Sequence, residues 1–312
     1  MASDCAEKPE SIFGPMLQGG SLLGYRSILR DGCFAGEIHI VTGGGSGIGR
    51  CVAHELASLG AHIVITGRKR DKLDKVAAEI AEDGGSVETA AFDIRDEETV
   101  TAAINTIVEK HGRLHALVNN AGGQFPAPLE AISKKGFEAV VANNLTGGFL
   151  LMREAYKQSM REHGGAIVNM AADVWRGMPG MGHSGAARAG MINLTKTAAY
   201  EWAAAGVRVN CVAPGWVASS GMDTYDGMTK ALIPKLKDHV PLGRLATEAE
   251  ISSIICFLLS PAASFVTGVT VPIDGGAPLG SALFPTGKGR GTEAFDGFHR
   301  AQMPDVLSGE DS

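Results

Sequence analysis

Thr42-Gly43-Gly44-Gly45-Ser46-Gly47-Ile48-Gly49 decides how this chain is read. A short apolar run, Ile38–Val41, leads into it, and a helix-length stretch, Arg50–Leu59, leaves it. Glycines let the backbone turn sharply between the two and come close to a bound group. The helix that follows offers free N–H groups and a positive dipole end, so strand, glycine loop and helix together suit a pyrophosphate. Gly43, Ser46, Gly47, Ile48 and Gly49 are therefore the first candidate binding residues.

The same alternation continues outward. Strand-length apolar runs fall at Ala61–Ile65, Val87–Phe92, His115–Val118, Ala166–Met170, Val207–Val212 and Val269–Ile273. Helix-length segments lie between them at Asp71–Glu82, Glu97–Lys110, Phe137–His163 and Gly185–Ala204. Most of the runs are too continuous for half-solvated strands. The pattern predicts an α/β fold: one doubly wound, Rossmann-type domain, with a parallel sheet and helices on both faces. We divide the chain into an N-terminal arm (1–35), a coenzyme-binding catalytic domain (36–277) and a Gly/Pro-rich, then acidic C-terminal tail (278–312) of weak local structure.

Composition narrows the function. The 312 residues are 45% hydrophobic and 20% charged, which is globular. Glycine is in excess, at 42 residues. Basic residues number 28 against 34 acidic, a net charge of −6, so nucleic acid is not an expected partner. No apolar run approaches the roughly 18 residues of a membrane span. The opening MASDCAEKPE has early acids and no apolar signal core. Cys5, Cys33, Cys51, Cys211 and Cys256 are scattered without a CxxC, which fits a reduced, cytoplasmic protein. His111 and His115 straddle a helix end and a strand start, so no metal site is expected from them.

The loop spacing, TGxxxGxG, resembles the short-chain dehydrogenase/reductase family, and further stretches agree in order. Asp93-Ile94 resembles the family's adenine contact. Asn119-Asn120-Ala121-Gly122 matches its NNAG, with Asn120, Ala121 and Gly122 at the coenzyme. Asn144 matches the asparagine of its active-site tetrad. Pro214-Gly215 matches the PG that lines the nicotinamide, and Asp274-Gly275-Gly276 its closing DGG. The resemblance covers 36–277. It implies an NAD(P)(H)-dependent oxidoreductase and a homotetramer, with Phe137–His163 and Gly185–Ala204 as the helices the family pairs between subunits. The end of the second strand reads Thr66-Gly67-Arg68-Lys69-Arg70 with no acid. An acid there would hold a ribose 2′-hydroxyl, whereas Arg68 suits a 2′-phosphate, so NADP(H) is preferred over NAD(H).

The chain departs from the family where the chemistry lies. The family serine falls at or near Ala172, its tyrosine at Ser184 and its lysine at Arg188. None of the four tyrosines (Tyr25, Tyr156, Tyr200, Tyr225) has a lysine four residues on. Gly182–Lys196 resembles trans-2-enoyl-CoA reductases of the family and, with a changed lysine, 2,4-dienoyl-CoA reductases. The arm Tyr25-Arg26-Ser27-Ile28-Leu29 resembles citronellol/citronellal dehydrogenase-like members.

Reducing a ketone needs an acid at its oxygen. Reducing an enoyl thioester places charge on the thioester oxygen, which needs hydrogen-bond donors more than a full proton. Asn144 and Ser184 can supply them. Arg188 can hold the ribose but cannot release a proton near neutral pH. Reduction of an enoyl thioester is the expected activity. An alcohol/aldehyde dehydrogenase of an apolar terpenoid or fatty substrate is the alternative, with His183 as acid/base. With three tetrad positions changed, a non-catalytic coenzyme-binding scaffold or sensor is the rival outside enzymes. Ala218–Val240 occupies the place of the family's substrate lid, and Trp216 and Tyr225 there suit an apolar substrate.

Overall fold

The computed structural model describes residues 24–279 and 292–308. Residues 1–23 of the arm, and 280–291 and 309–312 of the tail, lie outside them. Every expected strand forms: β1 (Ile38–Thr42), β2 (His62–Gly67), β3 (Ser86–Ala91), β4 (Ala116–Asn119), β5 (Gly165–Met170), β6 (Val207–Pro214) and β7 (Thr270–Ile273). They build one seven-stranded sheet in the order β3-β2-β1-β4-β5-β6-β7. All six pairings are parallel. The order reverses between β1 and β4, and the crevice at their carboxyl ends is where such sheets take ligands.

Each strand feeds two cores, because successive side chains leave opposite faces. Val41, Ile63, Ile65 and Val168 pack under α1 (Gly47–Ser58) and α2 (Arg70–Glu82). Ile40, Val64, Leu117 and Ile167 pack under α3 (Glu97–His111) and the helical hairpin beyond it. The expected helix Phe137–His163 starts earlier and is not uniform. It runs as α4 (Lys134–Val141), a π-turn (Ala142–Thr146), α5 (Gly147–Ala155), a second π-turn (Tyr156–Met160) and α6 (Arg161–His163). Against it lies α7 (Gly182–Trp202), approaching so closely that a Cβ on Gly190 would stand 2.9 Å from Leu145 Cδ2. A short α8 (Gly227–Leu232) follows β6, within the expected lid. Among the described residues no helix is long and apolar enough to cross a membrane.

One helix was not singled out in the sequence, α9 (Glu248–Leu259). Its start was legible as Thr247-x-x-Glu250, and the capping box forms: Thr247 accepts from Glu250 N at 3.1 Å, and Glu250 from Thr247 N at 2.9 Å. The helix packs on α1 and is joined there by the arm and tail. Tyr25 and Ser27 donate to the buried Glu55 at 3.0 and 2.7 Å. Thr292–Ser308 carries no helix or strand, yet it is held to the body. Phe298 is buried against Tyr25 and under the Arg50 guanidinium, and Arg300 donates to Asp83. A few anchoring side chains dock this segment without a periodic pattern.

Glu248 is a buried acid at the α1–α9 contact, close enough that a Cβ on Gly47 would stand 3.8 Å from its Oε1. Burial pushes its carboxyl up to about 7, with Arg50 opposing. A folded-state value raised above the unfolded one contributes stability at low pH and loses it as pH climbs toward 7. We expect Glu248→Gln to remove this loss. At pH 8 the variant should be more stable than the parent by roughly 3 kcal/mol, with the gap closing as pH falls below about 4.5. Urea midpoints of both proteins across that range are the check.

Candidate active site

The glycine loop closes tightly over β4. Thr42 ends β1, and its hydroxyl accepts from the backbone N–H groups of Asn120 and Ala121 at 3.0 and 2.9 Å. Asn120 Nδ2 donates to the Thr42 carbonyl at 2.9 Å. A Cβ on Gly43 would lie 2.9 Å from that Nδ2, and the residue has φ +68° besides, so only glycine fits. Ser46 stands at the N-cap of α1 without a side-chain capping bond, leaving its hydroxyl and the first-turn amides open to an anion. Ile48 and Gly49 lie in that first turn.

Arg68 lies exposed beyond the end of β2, with no acid at the end of that strand. Its charge reaches Asp93, whose carboxyl is held below the usual range mainly by hydrogen bonds from Arg95. Ile94 is buried beneath the crevice, so close to α5 that a Cβ on Gly147 would stand 2.7 Å from it. Pro214-Gly215 ends β6 beside the closing motif, with Gly215 N donating to Ile273 O at 2.9 Å. The uncapped N-terminus of α1, reached over a loop whose glycines carry no side chains, fits the pyrophosphate of a dinucleotide coenzyme.

The candidate reactive residues converge around Gly122-Gly123-Gln124. Asn144 sits in the first π-turn, a local widening of the helix that aims its amide inward. It holds Gly123 from both sides, accepting from its N–H at 2.9 Å and donating to its carbonyl at 3.0 Å. A Cβ on Gly122 would stand 2.8 Å from Asn144 Oδ1 and 2.5 Å from Arg188 Nη2, which places those two side chains together. Arg188 Nη1 donates to Met170 O at 2.6 Å, while its buried Nε has no partner. No carboxylate pairs with it among the described residues. Burial pulls its guanidinium down to about 10, with Cys211 opposing, so it stays charged near neutral pH.

Ser184 is fully buried, one turn before Arg188, and donates to Gln124 Oε1 at 2.8 Å. Gln124 Nε2 in turn reaches Tyr225 Oη in the lid segment at 3.5 Å. Sequence reasoning missed Gln124 as a site residue, and it did not bring Tyr225 to Ser184. The available signal was a polar residue two positions after NNAG, beyond the carboxyl end of a central strand. His183 is fully buried. Its Nδ1 accepts from Ser184 N at 2.9 Å, its ring stands edge-on to Phe125 at 4.4 Å, and its Nε2 has no partner. Ala172 provides no hydroxyl, and Lys196 lies more than two turns beyond Arg188.

Comparison with known proteins agrees with this geometry. A family model described as Enoyl-(Acyl carrier protein) reductase matches residues 43–278. The Bacillus subtilis (strain 168) protein named "Probable 2,4-dienoyl-CoA reductase" is 37% identical over 240 residues, covering 76% of this chain and 94% of the relative. A citronellol catabolism dehydrogenase of Pseudomonas aeruginosa PAO1 is 58% identical with a TM-score of 0.75, covering 82% of this chain and all of that one. An actinorhodin polyketide ketoreductase variant solved with NADPH is 29% identical with a TM-score of 0.73, over 77% of this chain and 97% of that one. With the glycine loop, the sheet order and the NNAG turn all in place, the chain belongs to the short-chain dehydrogenase/reductase family of oxidoreductases.

Proposed function

We propose that this chain is an NADPH-dependent reductase of the C=C bond of an enoyl thioester, with an acyl-CoA as substrate. The observation that carries this reading is the donor set at the reacting position. A neutral hydroxyl, Ser184, stands where the family has its tyrosine, backed by a buried Arg188 that is charged near neutral pH. Gly43, Ser46, Gly47, Ile48 and Gly49 would hold the pyrophosphate. Arg68 would take the 2′-phosphate, with Asp93 and Ile94 at the adenine. Asn120, Ala121, Gly122, Pro214 and Gly215 would line the nicotinamide, with Arg188 at its ribose. NADPH bound there would supply a hydride to one carbon of the conjugated double bond, and a proton from water to the other would complete the reduction.

The protein's own part is electrostatic. As charge builds on the thioester oxygen, the Ser184 proton can rotate from Gln124 to that oxygen, since a hydroxyl turns about its Cβ–Oγ bond. The Arg188 charge lowers the potential of the developing oxyanion in a site shielded from water. Asn144 positions Gly123 and so the amide of Gln124. Tyr225 brings a second hydroxyl to that amide from the lid. Exposed Phe125, Trp175 and Trp216 suit an apolar acyl chain.

The citronellol catabolism dehydrogenase at 58% identity favours a second reading, oxidation or reduction of an apolar terpenoid at its alcohol carbon. That reading needs His183 as acid/base, and the imidazole already spends Nδ1 on the helix backbone. Consumption of NADPH with a short enoyl-CoA, a ketone and a terpenoid aldehyde separates the readings. The cytoplasm is the compartment that fits the scattered thiols. A homotetramer fits the α5–α7 face, where a groove lined by Leu145, Phe149 and Leu194 lies open and Tyr200 is 88% exposed.

Ser184→Ala should slow enoyl reduction by about 10- to 1000-fold, the range of one lost oxyanion donor, while His183→Ala changes turnover little. A terpenoid dehydrogenase would invert the pattern, with His183 essential and a pH step in kcat. Negligible losses in both variants would move the protein to the non-catalytic class. Arg68→Asp should weaken NADPH and improve NADH binding, and titrations with an unchanged preference ratio would remove Arg68 from the phosphate site. Sedimentation should report an assembly larger than one chain, and a monomer at all concentrations would contradict the tetramer.

A further inference from the structure

Three side chains converge at the outer edge of the sheet, away from the coenzyme crevice. His62 opens β2, at the end of the strand opposite the loops that cradle the coenzyme. Glu88 stands in the edge strand β3, and His111 is the last residue of α3. Their donor atoms all lie within 4.8 Å of one another. His111 Nε2 is 2.8 Å and His62 Nε2 3.8 Å from the same oxygen, Glu88 Oε1. In a tetrahedral site with bonds of about 2.0–2.2 Å, neighbouring donors stand roughly 3.3–3.5 Å apart. The two distances bracket that spacing.

The chemistry of each group suits the same occupant. His62 Nε2 is buried without a hydrogen-bond partner, while Nδ1 meets the Ser86 hydroxyl at 2.6 Å. This arrangement fixes the ring with Nε2 presented, as second-shell hydrogen bonds do for metal-bound imidazoles. All three side chains are half-buried and reachable from solvent.

A second cluster shows what a filled carboxylate looks like. His54 and His299 share Asp83, but Arg300 donates to both oxygens of that acid and Arg50 pairs with the neighbouring Glu79. A further cation has no free acceptor there. At Glu88 the competing cation is Lys110, whose side chain is 60% exposed on a flexible stem and free to swing into water.

We propose that His62, Glu88 and His111 form a binding site for a divalent transition metal, Zn²⁺ foremost, with water completing the coordination. Two imidazoles and one carboxylate are a donor set that such ions prefer. A bound ion would tie the edge strand to β2 and to the end of α3, stabilising the margin of the sheet without entering the reaction.

The test uses the full chain without an affinity tag, stripped with EDTA and titrated with Zn²⁺ and with Co²⁺. The expected result is one equivalent bound per chain, a tetrahedral cobalt absorption band and a melting temperature that rises with Zn²⁺ concentration. His62→Ala and His111→Ala should each weaken binding by at least about 100-fold, since even outer-shell losses cost 10- to 100-fold. His299→Ala should bind as the parent does. Lys110→Gln removes only the competing charge and should tighten binding by up to about tenfold. This last variant decides the matter even where a histidine substitution fails to fold. No stoichiometric binding to the parent, equal binding to folded His62→Ala and His111→Ala, or weaker binding to Lys110→Gln would each overturn the proposal.

Discussion

The crevice depends on a contact that leaves no room for a side chain, where the loop after β1 meets the loop after β4. Thr42 uses its hydroxyl and its carbonyl to hold Asn120 and Ala121, and Gly43 and Gly49 both pack against the Asn120 amide. With the two loops locked, the residues that follow have little choice of position. Gly122 faces Arg188 and Asn144, Gly123 is clamped by the Asn144 amide, and Gln124 lands on Ser184. A bulky residue at Gly43 or Gly49 would part the loops and scatter the whole set.

Within that frame the dominant electrostatic feature is Arg188. It is buried, anchored to Met170 O, and without an acidic partner among the described residues. An uncompensated buried cation costs folding free energy. It also creates a positive potential that water does not screen, of greatest use when negative charge appears nearby. A lysine at this place can exchange a proton with a neighbouring phenol, whereas a guanidinium cannot. The charge sits one turn from the neutral hydroxyl of Ser184, an arrangement that suits charge stabilisation as proposed above.

The periphery follows a different logic. The arm and the tail lack apolar periodicity, so they read as loosely attached ends. In the structure Tyr25, Ser27, Phe298 and Arg300 fasten the described parts of both to α1 and α2. The contacts of the tail join residues more than two hundred positions apart, such as Arg300 with Asp83 and Arg26 N with Gly297 O at 2.9 Å. No local pattern encodes such a pairing. The π-turn that carries Asn144 is hidden for a related reason. Its sequence is helical in character, and the widening follows from packing against Gly123 and α7.

The sequence by itself determined the order of the strands, most of the helices between them and the glycine loop at the end of β1. Each of these is local: one short segment supplies the glycines, the free amides and the helix dipole together. It also determined what chemistry is missing, because the absence of Tyr-x-x-x-Lys can be read without coordinates. Only the tertiary structure decided what surrounds the residues that remain. Ser184 meets Gln124 and, through it, Tyr225, and His62 and His111 meet across Glu88. The partners in these contacts are separated by between 23 and 101 positions. They come together because the crossovers of a parallel sheet return distant segments to neighbouring positions, where distance and burial, not sequence spacing, set the chemistry.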